Sequence, residues 1–247
     1  MNMKHLVALC VACAFAAPSF GVILASDNAA DSAYSNGWQH GDNGGFGFGA
    51  WSITQSNSGS TAVTTSTSNG FGVITPNIDT AGRALGILAG PASTIVTGRS
   101  IVNSGPAKYV SLDFDLGLTT IGTTTLVVGN YGVIYDPTQA TLKFSDGSAS
   151  TIAWTGTAMR LEVFRFASNN TEIKITDLAS LATDSHVITN NLGALSSIGF
   201  GAVNTSVHPQ ATSFINNMVV TDVVPEPATL ILLTAGAGAL AARRRKK

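Results

Sequence analysis

The middle of the chain alternates between apolar and polar residues with a period of two. In KYVSLDFDLG one strand face would carry four apolar residues, Val110, Leu112, Phe114 and Leu116. The opposite face would carry Ser111, Asp113 and Asp115. MRLEVFRF, residues 159–166, alternates in the same way and changes phase near Phe164, which predicts a β-bulge there. A period of two is the signature of a half-buried β-strand.

Short segments of the same kind follow one another and are separated by Gly, Asn, Asp, Ser or Thr turns. They are FGVIT, TLVVGNYGVIY, ATLKF, STIAW, EIKITDL, SHVIT, SIGFGAV and FINNMVVTDV. Helical periodicity is absent apart from a turn or two in DLASLATD. The sequence therefore predicts an all-β body over residues 22–223, an antiparallel β-sandwich or jelly roll with one core, and confines helix to an N-terminal signal helix and a C-terminal apolar helix.

The segment Trp51 to Ser68 is biased towards Ser and Thr. Its alternating Thr and Val residues favour an edge strand, because Thr fits a half-exposed pleated surface. A disordered or glycosylated linker is the alternative.

Residues 1–21 have the layout of a secretory signal peptide. Lys4 precedes an apolar run, and small residues follow it. We expect cleavage after Gly21, with Ala25 as the alternative, and export by the Sec machinery. Cys10 and Cys13, the two cysteines of the chain, lie in this segment, so the mature protein is expected to have no disulfide, no thiolate nucleophile and no Cys-ligated zinc.

The C-terminus has three parts in a fixed order. Val224, Pro225, Glu226 and Pro227 come first, an uncharged stretch at 228–242 follows, and the chain ends in Arg243, Arg244, Arg245, Lys246 and Lys247. As a helix the uncharged stretch would measure about 22 Å, against about 30 Å for the hydrocarbon core of a bilayer. It predicts a short transmembrane segment that the cations hold on the cytoplasmic side as a stop-transfer signal.

These three parts resemble the PEP-CTERM sorting signal of bacteria. The resemblance covers residues 224–247 and implies that an exosortase, a membrane-embedded cysteine transpeptidase, reads the Pro-Glu-Pro and that the tail is then removed. It also implies an association with exopolysaccharide systems. The alternative is a plain C-terminal membrane anchor.

Removal of both end segments changes the charge of the protein. All fourteen acidic residues lie between Asp27 and Glu226. The cations of that region are Arg83, Arg99, Lys108, Lys143, Arg160, Arg165 and Lys174. Seven positive and fourteen negative charges give residues 27–226 a net charge near −7, which disfavours nucleic acid as a partner and favours solubility outside the cell.

The segment YSNGWQHGDNGGFGFGAWSIT offers the candidate ligand site of the body. Trp38 and Trp51 flank a polar Asp/Asn loop and could stack on sugar rings. The alternative, which we favour, is that the aromatic rings fill the sandwich core while the glycines form tight turns.

Candidate metal and catalytic residues are few. Loop or strand carboxylates for a calcium ion would be Asp113, Asp115, Asp136, Asp146 and Asp177, but no Asp-x-Asp-x-Asp-Gly loop is present and the pattern favours ordinary solvated acids. The histidines outside the signal segment, His40, His186 and His208, are isolated in sequence. Glu162 and Glu172 could form a glycosidase pair, although a surface ion pair of Glu162 with Arg160 is simpler.

The sequence thus predicts a non-catalytic, exported envelope or matrix protein without cofactor or metal. Its partners would be an exosortase-type peptidase, the export machinery and extracellular polysaccharide. The alternative functions are a lectin-like carbohydrate-binding module and, less favoured, a sandwich-fold glycoside hydrolase.

Overall fold

The computed structural model describes residues 21–69, 76–102, 109–116, 122–136, 141–153, 157–166, 169–189, 193–205 and 211–222. The predicted signal segment up to residue 20, the predicted sorting motif Val224–Pro227, the segment 228–242 and the basic end 243–247 lie outside these residues. The body forms a compact unit over Val22–Asp222.

Strands make up most of the described body. They are β1 Ile23–Asp27, β2 Ser52–Gln55, β3 Ser60–Thr64, β4 Ala84–Ala89, β5 Ser93–Ser100, β6 Tyr109–Leu116, β7 Thr123–Val128, β8 Tyr131–Asp136, β9 Thr141–Phe144, β10 Ala149–Ala153, β11 Met159–Arg165, β12 Thr171–Asp177, β13 Thr183–Ile188, β14 Ser197–Asn204 and β15 Ala211–Thr221. The predicted all-β class is confirmed.

The strands form two antiparallel sheets. The larger sheet has eight strands in the order β13-β12-β11-β6-β15-β4-β3, and β1 pairs with the second half of β15. The smaller sheet has seven strands in the order β10-β9-β8-β7-β14-β5-β2. Consecutive strands often belong to different sheets, so the chain crosses repeatedly from one layer to the other, and the two layers make an antiparallel β-sandwich.

The inner faces of both sheets supply one core. The four apolar residues that alternation assigned to one face of β6 are all buried in it, and so are Leu126, Val128 and Phe200 of the smaller sheet. Burial of a large aliphatic or aromatic side chain contributes about 1.5–3 kcal/mol. The alternating pattern therefore identified the main source of stability correctly.

The Ser/Thr-rich segment forms two edge strands. β2 lies at one edge of the smaller sheet, and β3 lies at one edge of the larger sheet. The edge-strand prediction for Trp51 to Ser68 is confirmed, and the segment also carries the chain from one layer to the other.

The β-bulge predicted near Phe164 is wrong. β11 keeps a regular register with β6 and β12 through this residue. The strand phase does not change. The apolar–polar pattern is broken because Phe164 points to the outer face, where its ring packs against Tyr109 with centroids 5.0 Å apart. A register shift occurs instead in β15 between Asn216 and Val219, where Asn217 has a φ of 51°.

Helix is scarce in the described residues. Two single-turn 3-10 helices cover Ser32–Tyr34 and Ser66–Asn69. The first is capped by Asp31, whose carboxylate accepts a hydrogen bond from the amide of Ala33 at 2.8 Å. Nothing in the described part of the chain is a helix of the length and apolarity needed to cross a membrane.

Candidate functional site

The aromatic and glycine-rich segment at residues 34–54 folds around a single buried cation, Arg99. This residue lies on β5, and its side chain has no solvent exposure. β1 supplies Asp27, and the following 3-10 helix supplies Tyr34. We call Arg99, Asp27, Tyr34, Trp51 and Asn43 the arginine cluster.

Each nitrogen of the Arg99 guanidinium group donates a hydrogen bond. Nη1 donates to the carboxylate of Asp27 and, at 3.3 Å, to the hydroxyl of Tyr34. Nη2 donates to Oδ1 of Asn43 at 2.9 Å and to the carbonyl of Gly44 at 3.1 Å, and Nε donates to the carbonyl of Gly49 at 3.0 Å. A guanidinium group is suited to this role because its donors form a rigid planar fork.

Aromatic rings enclose the same group. The Cζ atom of Arg99 lies 4.5 Å from the ring centroid of Phe48 and 4.9 Å from that of Trp51. Trp51 also donates its indole N–H to the hydroxyl of Tyr34 at 2.9 Å, and Tyr34 donates to Asp27. The cluster therefore joins β1, β5 and the 34–51 segment through cation–π contacts and hydrogen bonds.

Burial dominates the electrostatics of this cluster. Desolvation raises the pKa of Asp27 above its usual range, although hydrogen bonds from Tyr34 and the charge of Arg99 oppose the shift. One carboxylate oxygen, Oδ1, is buried without a hydrogen-bond partner in the described residues. Desolvation and the neighbouring carboxylate of Asp27 also raise the pKa of Tyr34. The arginine cluster therefore has a structural role.

Trp38 and Trp51 are core residues. Their side chains are 2% and 1% exposed and pack edge to face, with ring centroids 4.9 Å apart. Stacking on a sugar needs an exposed ring face, which neither residue offers. The core-filling interpretation of this segment is the one that their burial supports.

Asp113 and Asp115 differ from the expectation of solvated surface acids. Both are buried, because Ile78 packs with Phe214 and Ala84 in a small second cluster on this face of the larger sheet. Asp115 is the register partner of Phe214. The outer face of β6 and β15 is therefore covered by the segment before β4.

Asp113 is held by two neighbours. It accepts from Nε of Arg160 at 2.7 Å, and its second oxygen accepts from the side-chain amide of Asn217 at 3.0 Å. The adjacent Asn216 is fully buried and donates to the carbonyls of Ile78 and Arg83 at 2.7 and 2.9 Å. The shifted register of β15 thus allows consecutive asparagines to bind the covering segment.

The two candidate glutamates do not face each other across a groove. Glu162 accepts from Lys174 at 2.9 Å and from the hydroxyl of Tyr109 at 2.9 Å. Its ion-pair partner is Lys174 on β12, not the expected Arg160. Glu172 lies on β12, two residues from Lys174 in the same strand. This row is a set of cross-strand pairs on a sheet surface.

The isolated histidines have structural contacts. His186 on β13 lies 2.6 Å from Asp146, which belongs to the turn between β9 and β10, and its ring stacks on Phe144 with centroids 5.2 Å apart. Asp184 on β13 accepts from the hydroxyl of Ser150 and the amide of Thr151 on β10. These contacts connect β13, at the edge of the larger sheet, with β9 and β10, at the edge of the smaller sheet.

The remaining candidates have local roles. His40 accepts from the amide of Ile53 at 3.1 Å, and Asp177 accepts from the amides of Ala179 and Ser180 in a turn. His208 lies outside the described residues. Among the residues that the structure does describe, no three His, Cys, Asp or Glu side chains are grouped so that they could hold a metal ion.

Sequence reasoning missed the arginine cluster, although one signal was present. In STIVTGRS, Arg99 falls in phase with Ile95 and Thr97 and therefore faces inwards with them. An arginine in the inward phase of a strand indicates a buried partner, because an unpaired buried charge is costly. Its partners Asp27 and Tyr34 could not be read from the sequence.

A model of the PEP-CTERM protein-sorting motif matches residues 223–246 of the chain. The predicted sorting signal is thereby confirmed. The motif belongs to exported proteins that an exosortase, a membrane protein, recognises. No curated protein sequence matches the chain.

Solved structures with a similar fold are distant in sequence. A protein of unknown function from Shewanella oneidensis MR-1 is 10% identical with a TM-score of 0.46, over 92% of this chain and 98% of that one. A carbohydrate esterase from the Shiga toxin-encoding bacteriophage phi24B is 11% identical with a TM-score of 0.47, over 81% and 98%. The lectin UEA-II, complexed with galactose, is 9% identical with a TM-score of 0.43, over 83% and 99%. Likeness at this level assigns no ligand or activity.

Proposed function

We propose that this chain, which carries a PEP-CTERM protein-sorting motif at residues 223–246, is a non-catalytic protein of the bacterial cell envelope or extracellular matrix. The Sec machinery exports it, an exosortase-type peptidase processes it at Val224–Pro227, and it is retained among extracellular polysaccharides. The motif match is the observation that carries the proposal.

The chemistry of the tail supports processing at the Pro-Glu-Pro. Two prolines hold an extended backbone, because proline fixes φ and restricts the residue before it. We therefore expect any helix over residues 228–242 to start after Pro227 and Glu226 to be presented outside the membrane to the enzyme. The cations from Arg243 to Lys247 remain on the cytoplasmic side.

The contacts of the body support a non-catalytic role. Glu162 and His186, two of the candidates for general acid–base catalysis, take part in structural pairs. Glu162 binds Lys174 and Tyr109, and Asp146 binds His186. A general acid or base must instead be free to exchange a proton with a substrate.

The sorting step is tested by replacing Pro225, Glu226 and Pro227 with alanine in the native host. We expect export to continue and processing to stop, so that the full-length chain accumulates in the membrane. The measurement is the mass of the C-terminus. Unchanged processing would leave a plain C-terminal anchor as the function of the tail.

Two matched variants separate the motif from its carrier segment. A scrambled but equally apolar sequence at 228–242 should be processed almost normally, because that segment serves to position the motif. Deletion of Arg243 to Lys247 should let the precursor slip through the membrane, since fifteen uncharged residues hold weakly without a basic stop.

Retention among polysaccharides is tested by fractionating cells with and without exopolysaccharide synthesis. We expect the processed protein to move from the cell-associated fraction to the medium when the polysaccharide is missing. An unchanged distribution would contradict this part of the proposal.

A further inference from the structure

The two ends of the body lie side by side. β1 runs antiparallel to the end of β15, and Ile23 is the register partner of Thr221. The amide of Asp222 donates to the carbonyl of Val22 at 3.3 Å. In return, the amide nitrogen of Val22 donates to the Asp222 carboxylate at 2.8 Å.

Both residues occupy special positions in the sequence. Val22 is the first residue after Gly21, the expected cleavage position of the signal segment. Asp222 is the last residue before the matched sorting motif at 223–246. The atom that would become the new N-terminus therefore already contacts a carboxylate at the base of the motif.

We propose that signal peptidase cuts between Gly21 and Val22, and that the resulting ammonium group of Val22 forms an ion pair with Asp222 at the base of the sorting motif. The inference rests on the proposed function, because it assumes an exported precursor. We call the contact the terminal clasp.

The chemistry of the step is a simple hydrolysis. One water molecule is consumed, the Gly21 carbonyl becomes a carboxylate that leaves with the signal segment, and Val22 gains a free amino group. An α-amino group has a pKa of about 7.7–8.0, so most of it carries a proton at neutral pH. The neutral donor of the precursor thus becomes a charged donor.

Cleavage after Ala25 fits the structure poorly. It would remove Leu24, which packs against the core, and Ala25, which is completely buried. A Cβ atom on Gly47 would lie 2.1 Å from the Leu24 carbonyl, which shows how closely this part of β1 is covered. The new charge would fall on Ser26, whose amide donates to the carbonyl of Phe46 at 3.0 Å.

The clasp would couple the two processing events. Removal of the signal segment strengthens the bond that fixes the last residue of the body. Asp222, the last residue before the sorting motif, is held by Val22 at the start of β1 through its backbone amide and through its side chain. Maturation at one end therefore stabilises the junction at the other.

The first test is the mass of the N-terminal and of the C-terminal peptide of the exported protein from the native host. We expect a chain that begins at Val22. A chain that begins at Ser26, or that retains residue 1, overturns the proposal. The C-terminal mass in the same spectrum reports on sorting independently, so failure of the clasp and failure of the proposed function are distinguishable.

The second test compares wild type with Asp222→Asn, which keeps an oxygen acceptor and removes the charge. We expect amide hydrogen exchange near the ends of β1 and β15 to become about two- to fivefold faster, the range of an exposed ion pair. The difference should shrink at 1 M salt, because salt screens charges but not a neutral hydrogen bond.

The matched control is Asp42→Asn, since the Asp42 carboxylate also accepts from an exposed backbone amide, that of Gln39 at 2.7 Å. This variant should leave exchange at the two termini unchanged. Equal exchange in wild type and Asp222→Asn at low salt, or a difference that does not depend on salt, would overturn the clasp.

Discussion

Replacement of Arg99 by methionine removes the central donor of the arginine cluster and keeps a side chain of similar length. Asp27 would then be a buried carboxylate with Tyr34 as its remaining side-chain donor. The carbonyls of Gly44 and Gly49 would each lose the donor that Arg99 provides. The change therefore leaves several buried polar atoms without a partner.

The expected cost is large for a single residue. Breaking a buried ion pair by removing one partner costs about 3–5 kcal/mol. We expect a loss of about 4 kcal/mol, compared with a total stability of roughly 5–15 kcal/mol for a domain. Arg99→Lys keeps the charge but loses the fork, and with about two hydrogen bonds missing it should cost about 2 kcal/mol.

Urea unfolding measures these losses. Tryptophan fluorescence is a suitable probe because Trp51 contacts Arg99 directly, and circular dichroism provides the second probe for a two-state transition. The matched control is Arg160→Met. The Arg160 side chain is 45% exposed, but that of its partner Asp113 is 5% exposed and keeps the Asn217 amide as a donor, so the loss of Arg160 should cost about 2 kcal/mol, less than the loss of Arg99.

The double variant Asp27→Leu/Arg99→Met keeps the experiment decisive if the single variant fails to fold. Replacing both members of a buried ion pair with apolar residues is often close to neutral. The double variant should therefore be more stable than Arg99→Met alone. A loss for Arg99→Met no larger than that for Arg160→Met would refute the role of the cluster.

Three further predictions follow from local geometry and composition. Gly47→Ala should lower the free energy of unfolding by about 3 kcal/mol or more, because a Cβ would lie 2.1 Å from a carbonyl, whereas Gly41→Ala, with φ at +93° and open space, should cost about 1 kcal/mol of backbone strain; equal losses in urea unfolding would contradict this. A hydrogen bond from the Ser148 side chain lowers the pKa of Asp146 in the folded protein. The ionised Asp146 therefore stabilises the fold above the unfolded-state pKa of about 3.9, and this stabilisation is lost as the pH falls through the pKa of the folded state. In the Asp146→Asn variant the melting temperature should therefore fall less steeply as the pH is lowered below about 4. The same decrease in wild type and variant would contradict this prediction. The processed protein should melt at the same temperature with and without reductant, because both cysteines precede residue 21, and a shift would mean that the signal segment is retained.

The sequence alone determined the properties that depend on neighbouring residues. Strand alternation in β6 identified the buried face because successive side chains of a strand point to opposite sides. The order of Pro-Glu-Pro, uncharged stretch and basic end identified the sorting signal, because this signal is read as a linear string. Neither inference depends on which distant segments of the chain are in contact.

The tertiary structure decided what covers each face and which charges meet. Alternation placed Asp113 on the face opposite the core, but only the packing of Ile78 on Phe214 shows that this face is also buried. Arg99 and Asp27 are 72 residues apart in the chain, and their pairing depends on β1 and β5 being brought together. The two-residue period of a strand shows which residues share a face. The cost of burying a charge depends instead on the partners that other parts of the chain provide.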